Sequence, residues 1–291
     1  MNSIRNCPVC NETYFKDFLE VKDHMITQEE FKIVECDSCG FHFTNPIPSR
    51  DKIGGYYKSE EYISHSSNKK GVINFLYNRV RNITLKEKVQ WVSNVTEGKC
   101  LLDIGSGTGH FLKVANDNGF NGIGLEPDAD ARDFAHKNNH VRSSSQEELY
   151  NIEEGSIDVV TMWHVLEHVY DLRKDLKRIE EILNSKGKLF IAVPNMNSHD
   201  ARYYKGFWAA YDVPRHLYHF QQNDISRLLL DFNFDLKKVI PMKYDSFYVS
   251  MLSEKYKKRF SLFGVFRGLI SNMKAKKYGY SSQVYVFEKR N

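Results

Sequence analysis

The stretch Leu101-Leu-Asp-Ile-Gly-Ser-Gly-Thr-Gly-His110 constrains this chain more than any other. An apolar run from Lys99 to Ile104 reads as a buried strand, with Cys100 buried and inert inside it, and it ends in glycines at 105, 107 and 109. Phe111, Leu112, Val114 and Ala115 then suit the buried side of a helix. Glycine is required between strand and helix because the backbone turns sharply and must admit a ligand where a Cβ would clash.

The surroundings of the loop narrow its use. No Gly-Lys-Ser/Thr follows, so nothing cradles a nucleotide's β/γ-phosphates, and His110 stands where a dinucleotide fingerprint needs its third glycine or alanine. One helix length later a second short strand, Asn121-Gly-Ile-Gly-Leu-Glu126, ends on an acid. A carboxylate there can accept two hydrogen bonds from vicinal ribose hydroxyls. These residues resemble the class I S-adenosylmethionine (SAM)-dependent methyltransferases. The resemblance implies that Asp103, Gly105, Gly107 and Gly109, with Ser106 between them, make room for the methionine part of SAM, and that Glu126, followed by Pro127, binds its ribose. The alternative is a Rossmann-like domain for some other nucleotide.

Ser156-Ile-Asp-Val-Val-Thr-Met-Trp163 reads as a strand, and His164-Val-Leu-Glu-His168-Val-Tyr-Asp171 resembles the family's Leu-Glu-His signature after its fourth strand. That resemblance puts the first residues of the signature, His164 among them, at the methyl-transfer zone. Trp163 and Ser144, by position after the fourth and third strands, are candidates for the adenine pocket. A helix follows with Leu172, Leu176, Ile179 and Leu183 on one face, capped by Asp171 and stopped near Gly187. Lys188 to Val193 suits the fifth strand, Asp235 to Pro241 the sixth and Gln283 to Lys289 the seventh, which in the family runs antiparallel. The expected fold is thus α/β: a Rossmann-like, seven-stranded, mostly parallel sheet with its last strand antiparallel.

Four of the five cysteines stand as Cys7-Pro-Val-Cys10 and Cys36-Asp-Ser-Cys39. Two such knuckles fit a four-thiolate zinc ribbon, and a segment this short could not hold a core without the metal. Four thiolates close the coordination shell, so this zinc would be structural. The alternatives, two disulfides or a redox pair, fit poorly with an amino terminus that has no apolar leader and reads as the start of a cytoplasmic protein. The expected organisation is a ribbon over 1–48, a helical linker or brace over 49–95, and the methyltransferase domain over 96–291. Within the brace come Tyr56, Tyr57 and Tyr62, a polar loop from Ser64 to Lys70, and an amphipathic helix from Gly71 to Val95 that roofs the active site and offers Ile73, Tyr77, Val80, Ile83, Val89 and Val92 for burial.

A long insertion from Pro194 to Phe220 precedes a helix over Asn223 to Phe232. Its aromatics, acid and histidines suit an active-site wall. The run Trp208-Ala-Ala-Tyr-Asp-Val-Pro-Arg-His216 resembles a stretch of small-molecule and sugar methyltransferases that carry an amino-terminal zinc ribbon. His216 is the candidate general base, with Asp212 to orient its ring and Arg215 to hold a substrate phosphate or carboxylate; Tyr211 and His164 are the further catalytic candidates. Trp208, Leu217 and Phe220 read as core and His219 as surface.

The net charge of +4 does not by itself mark a nucleic-acid binder, and no apolar run is long enough to span a membrane. Basic character is local: Lys255 to Lys277 holds eight Lys/Arg and no acid, which leaves the rest of the chain at −4. Large apolar residues interleave with those cations, so the window reads either as an interfacial helix giving peripheral contact with the inner face of a membrane or as a packing helix with a solvated rim. No Asn/Asp-Pro-Pro-Tyr run appears, which argues against methylation of base amines, and no cysteine is free to attack a pyrimidine ring. The expected activity is methyl transfer from SAM to a small-molecule acceptor, a sugar or glycan precursor. The alternative is an RNA methyltransferase gripping phosphates through the ribbon and the basic window.

Overall fold

A computed structural model describes residues 1–57 and 72–290, with side chains from 79 onward in the first helix after that gap. Tyr62, the loop from Ser64 to Lys70 and the side chains of Ile73 and Tyr77 lie outside the described residues. The amino-terminal part folds as three antiparallel strands, β1 (Phe15–Lys22), β2 (Glu30–Cys36) and β3 (His42–Thr44). A short helix α1 (Arg50–Ile53) and the long α2 (Val72–Ser93) follow. Val89 and Val92 of α2 are buried, whereas Ile83, expected inside, is exposed.

From there strands and helices alternate, except that only a 3-10 turn separates β6 from β7. They are β4 (Cys100–Ile104), α3 (His110–Asp117), β5 (Asn121–Leu125), α4 (Ala129–Asn139), β6 (Arg142–Ser144), β7 (Ile157–Trp163), α5 (Leu172–Ile182) and β8 (Leu183–Pro194). The insertion carries α6 (His199–Tyr204), two short 3-10 turns and β9 (Tyr218–His219). The chain closes with α7 (Gln222–Leu230), β10 (Phe234–Pro241), α8 (Asp245–Tyr256), α9 (Phe263–Met273), α10 (Ala275–Tyr278) and β11 (Ser282–Lys289). One sheet has the order β10-β11-β8-β7-β4-β5-β6, with β4 to β8 parallel and β11 antiparallel between β8 and β10. This is the Rossmann-like, mostly parallel sheet expected from the sequence.

Strand alternation sends the two sheet faces to different partners. Leu101, Val159 and Phe190 pack with α2 and α3, while Leu102, Val160 and Ile191 pack with α5, α7 and the amino-terminal strands. The amino-terminal sheet is also longer than its own sequence: β9, from the insertion, pairs antiparallel with β3, His42 opposite His219 and Phe43 opposite Tyr218.

Several expectations are corrected. The helix after Asp171 stops at Ile182 and runs straight into β8, so Gly187 lies within a strand, where it accompanies a register irregularity between β7 and β8. Asp171 occupies the cap position without a side-chain cap bond; its carboxylate pairs with Arg50. Cys100, at the first position of β4, is only half-buried.

Candidate functional site

The loop after β4 is built by strained geometry that only glycine accepts cheaply. Gly105, Gly107 and Gly109 have φ of 71°, 52° and 77°. A Cβ on Gly105 would meet Val165 Cγ2 at 2.3 Å, and one on Gly109 would meet Val141 Cγ2 at 2.4 Å. Gly107 differs: a Cβ there would meet nothing within 4 Å, so this turn faces open space. The amides of Gly105 and Ser106 donate to Leu125 O, and Ser106 Oγ lies 3.0 Å from Ser143 Oγ, which fixes the loop to β5 and β6.

Glu126 sits where β5 meets this loop. Its Oε2 accepts from Gly107 N at 2.8 Å and its Oε1 from Asp128 N at 3.0 Å, so one lone pair on each oxygen is left for a ligand. Burial raises its pKa against the pull of those two amides. Asp103 accepts from Thr161 Oγ1 at 2.6 Å; burial pushes its pKa up to about 7, opposed by Thr161 and Lys88. Pro127 and Ser144 are exposed beside Glu126, whose amide donates to Ser144 O. Trp163 is elsewhere. It packs edge-on against Phe111 at 5.2 Å, under Lys88 Nζ 4.4 Å from its ring centroid. Three inter-strand steps, about 14 Å, separate β7 from β6, so the structure does not bring Trp163 and Ser144 together.

The contact between Gly105 and Val165 joins this loop to the segment after β7, where acid and histidines converge. His164, at φ 60°, places Nε2 3.2 Å from Asp245 Oδ2 and Nδ1 3.4 Å from Glu167 Oε1. Burial works against its charge, but the hydrogen bond to Asp245 and the nearby carboxylate of Glu167 prevail and raise its pKa to about 9. His164 is therefore an imidazolium at neutral pH and has no lone pair with which to act as a base. Burial alone raises the Tyr211 phenol to about 12, so it too keeps its proton. Its ring packs on Trp208 and His219.

His216 is placed differently. Its Nδ1 lies 2.9 Å from the carbonyl of Ala210, an acceptor only, so Nδ1 donates there and Nε2 is the nitrogen left for other partners. Nε2 faces Glu167 Oε1 and Asp212 Oδ2, each at 4.0 Å. Leu217 N donates to Glu167 O at 2.7 Å, tying this segment to the one after β7. His168 stacks edge-on 4.6 Å from His216, and burial lowers its pKa to about 4. Its Nδ1 approaches both Arg215 O and Tyr57 OH.

Arg215 is corrected from substrate ligand to framework. It is 2% exposed, its Nη2 donates to Asp23 Oδ1 and Asp212 Oδ1, its Nε to Asp212 and its Nη1 to Tyr56 O. Asp212 is thus clamped by Arg215, and the ring of His216 is oriented by Ala210 instead. His219 is corrected from surface to core: it is 4% exposed, burial holds it neutral, and Nε2 lies 3.1 Å from Thr44 Oγ1, which itself donates to His216 O. Glu167, Asp245, Thr161 and Lys88 were not singled out from sequence. Glu167 stood inside the Leu-Glu-His signature and Thr161 directly opposite Asp103 on the neighbouring strand, which are the signals that could have found them.

The four cysteine sulfurs lie within 4.8 Å of one another, with Cys7–Cys39 and Cys10–Cys36 both at 3.5 Å. These separations are too long for disulfides and close to the ~3.8 Å edge of a tetrahedral zinc–thiolate site. The cluster is able to hold a metal ion.

Fold and site together define a methyltransferase-type α/β protein. A family model described as a methyltransferase domain matches residues 77–239, more than half of the chain, and the chain belongs to that family. No curated protein matches the sequence. Among solved structures, the chain is similar to a SAM-dependent methyltransferase from Archaeoglobus fulgidus (20% identity, TM-score 0.53, 74% of this chain and 99% of that one). It is also similar to magnesium protoporphyrin IX methyltransferase from a Synechocystis strain, with S-adenosylhomocysteine bound (13%, 0.56, 83% and 100%). A third similar structure is geranyl diphosphate C-methyltransferase from Streptomyces coelicolor (14%, 0.50, 70% and 76%).

Proposed function

We propose that this protein transfers a methyl group from SAM to a small-molecule acceptor of the sugar or glycan-precursor class, with His216 as general base. The observation that carries the reading is the junction of two halves: the open glycine turn at Gly107 touches, through Gly105 and Val165, the segment that holds Glu167 against His216. Asp103, Gly105, Ser106, Gly107, Gly109, Glu126 and Pro127 would hold the donor, with Ser144 on the adenine side. The donor supplies an electrophilic methyl group on a sulfonium. His216 Nε2 takes the acceptor's proton, and the imidazolium so formed lies 4.0 Å from the carboxylates of Glu167 and Asp212, which stabilise it. His164 adds a fixed positive charge beside Glu167 and holds that carboxylate in place. The acceptor class rests on the resemblance of the 208–220 stretch to sugar and small-molecule methyltransferases, and two structural neighbours act on small molecules by name.

The cysteine cluster fits one structural zinc ion. The ribbon (1–48), brace (49–95) and methyltransferase domain (96–291) are the proposed units of the chain. The test is His216→Ala, assayed by intact mass with SAM and a panel of sugar nucleotides. It should bind SAM as the parent does and lose turnover by ~10²–10⁴-fold. Near-parental turnover across pH 6 to 9 would rule the histidine out as base.

A further inference from the structure

Helices α8 and α9 form a hairpin inserted between β10 and β11. The buried side of α9 is made of small residues spaced four and three apart, the first two against α8 and the third against α6. A Cβ on Gly264 would lie 2.3 Å from Met251 Cα, and one on Gly268 would lie 2.8 Å from Phe247 Cα. Ser271 is buried and donates to Asp200 Oδ1 at 2.7 Å. Because small residues fill the inner face, the large ones are left outside. Phe260, Phe263 and Phe266 are each more than 60% exposed, Met273 is 76% exposed, and Leu262, Val265 and Leu269 are exposed with them. The patch is continuous: the rings of Phe260 and Phe263 are 6.3 Å apart, and Phe263, Phe266, Leu269 and Met273 follow one another at helical spacing. Contiguous apolar surface of this kind is costly in water and calls for a partner.

Charge selects the partner. Lys258 and Arg259 stand exposed before α9, and Lys274, Lys276 and Lys277 stand exposed after it, with no acid from 255 to 277. A second copy docked face to face would bring like charges together. A nucleic acid would neutralise the cations and leave the apolar face wet. An anionic bilayer satisfies both, because the apolar side chains enter the acyl boundary while the flanking cations meet lipid headgroups. The eleven residues of α9 extend about 16 Å, half a bilayer core, and no described helix is long and apolar enough to cross one. We propose that α9 lies flat on an anionic lipid surface and docks the protein there.

The experiment is flotation of the full chain with vesicles of phosphatidylcholine alone or mixed with phosphatidylglycerol, at low and high salt. Binding should require the anionic lipid and weaken with salt. The paired change Phe263→Ser/Phe266→Ser should lower the partition at least ~tenfold, and so should Lys274→Gln/Lys276→Gln/Lys277→Gln. SAM affinity, measured by calorimetry, should be unchanged in both, which shows that the variants are folded. This readout stands whether or not the acceptor class above is right. Absence of binding to anionic vesicles, or binding indifferent to both sets of changes, would overturn the proposal. So would a dimer in sedimentation that the phenylalanine changes dissolve, or salt-sensitive RNA binding that depends on the same lysines while vesicles are ignored.

Discussion

Arg215 is the residue whose loss should be felt furthest from its own position. It is almost fully buried and joins three parts of the chain: Asp23 in the β1–β2 turn, Tyr56 O after α1, and Asp212 in the insertion before α7. Arg215→Met keeps most of the side chain's volume and removes its charge, leaving Asp23, whose side chain is fully buried, without a cation. Breaking one partner of a buried pair costs ~3–5 kcal/mol. Asp23 also accepts from Met25 N, Ile26 N, Thr27 N and Thr27 Oγ1, which go on stabilising its charge, so the lower end, about 3 kcal/mol, is expected. The cost should depend on pH with a definite sign. Burial works to raise the pKa of Asp23, but Arg215 and Thr27 hold it below the usual carboxylate range. Its contribution is therefore present above the unfolded pKa and lost as pH falls through the folded one. As pH falls the variant's carboxylate takes up a proton before the parent's does, and the penalty for an unpaired buried charge disappears. Urea unfolding of parent and variant, followed by the fluorescence of buried Trp208, at pH 7 and in acid, measures both. A difference below about 1 kcal/mol at pH 7, or the same difference at both pH values, would refute the argument.

Three further outcomes are expected. Since the folded pKa of His164 is raised to about 9, its charge stabilises the fold fully below the unfolded value near 6.5 and ceases to do so as pH rises through 9; His164→Gln should flatten the fall in thermal stability over that window. Glu126→Ala should weaken SAM binding by roughly 2–4 kcal/mol in calorimetry, because the acceptors for two hydroxyls are lost and Gly107 N loses its partner. Protein purified without added zinc should carry about one equivalent by metal analysis, and Cys36→Ser should abolish that occupancy while sparing SAM affinity.

What the sequence revealed and concealed follows from the range of the interactions involved. The turn from β4 into α3 was legible because alternation, glycine and helical period all fall within a dozen residues, and Glu126 was legible because it ends the next strand. The direction of β11 came through resemblance and agrees with its pairing to β8 and β10. Arg215 misled because its charge partner Asp23 is 192 residues away, so a buried structural cation looked like a substrate ligand. His219 misled because β9 is two residues long, too short to show an alternation, and its burial comes from pairing with β3. Gly187 read as a helix stop, yet β8 begins at Leu183 without a loop, a continuity that no local residue announces. Lys88 sat on an amphipathic helix like any solvated cation, and only the packing of α2 over β4 and β7 sets it above Trp163.

In the proposed mechanism the amino-terminal sheet would act by position rather than by chemistry. Four sulfurs that close a tetrahedral shell leave no place for substrate or water, so a metal there would act through the backbone it fixes. That backbone reaches His216 twice. From β3, Thr44 Oγ1 donates to His216 O, and β3 pairs with β9 immediately after it. From the β1–β2 turn, Asp23 holds the guanidinium of Arg215, the residue immediately before it. His216 is thus held on both sides by the amino-terminal sheet and its β1–β2 turn, while its ring is aimed by Ala210 and faced by Glu167. If His216 is the general base proposed above, it must lie within reach of an acceptor placed against a donor that the β4 and β5 ends would hold, and misplacement by an ångström can cost a hundredfold in rate. On the proposed assignment the amino-terminal sheet would fix the distance between the two halves of the site, and loss of its cysteine cluster should appear in turnover before it appears in SAM affinity.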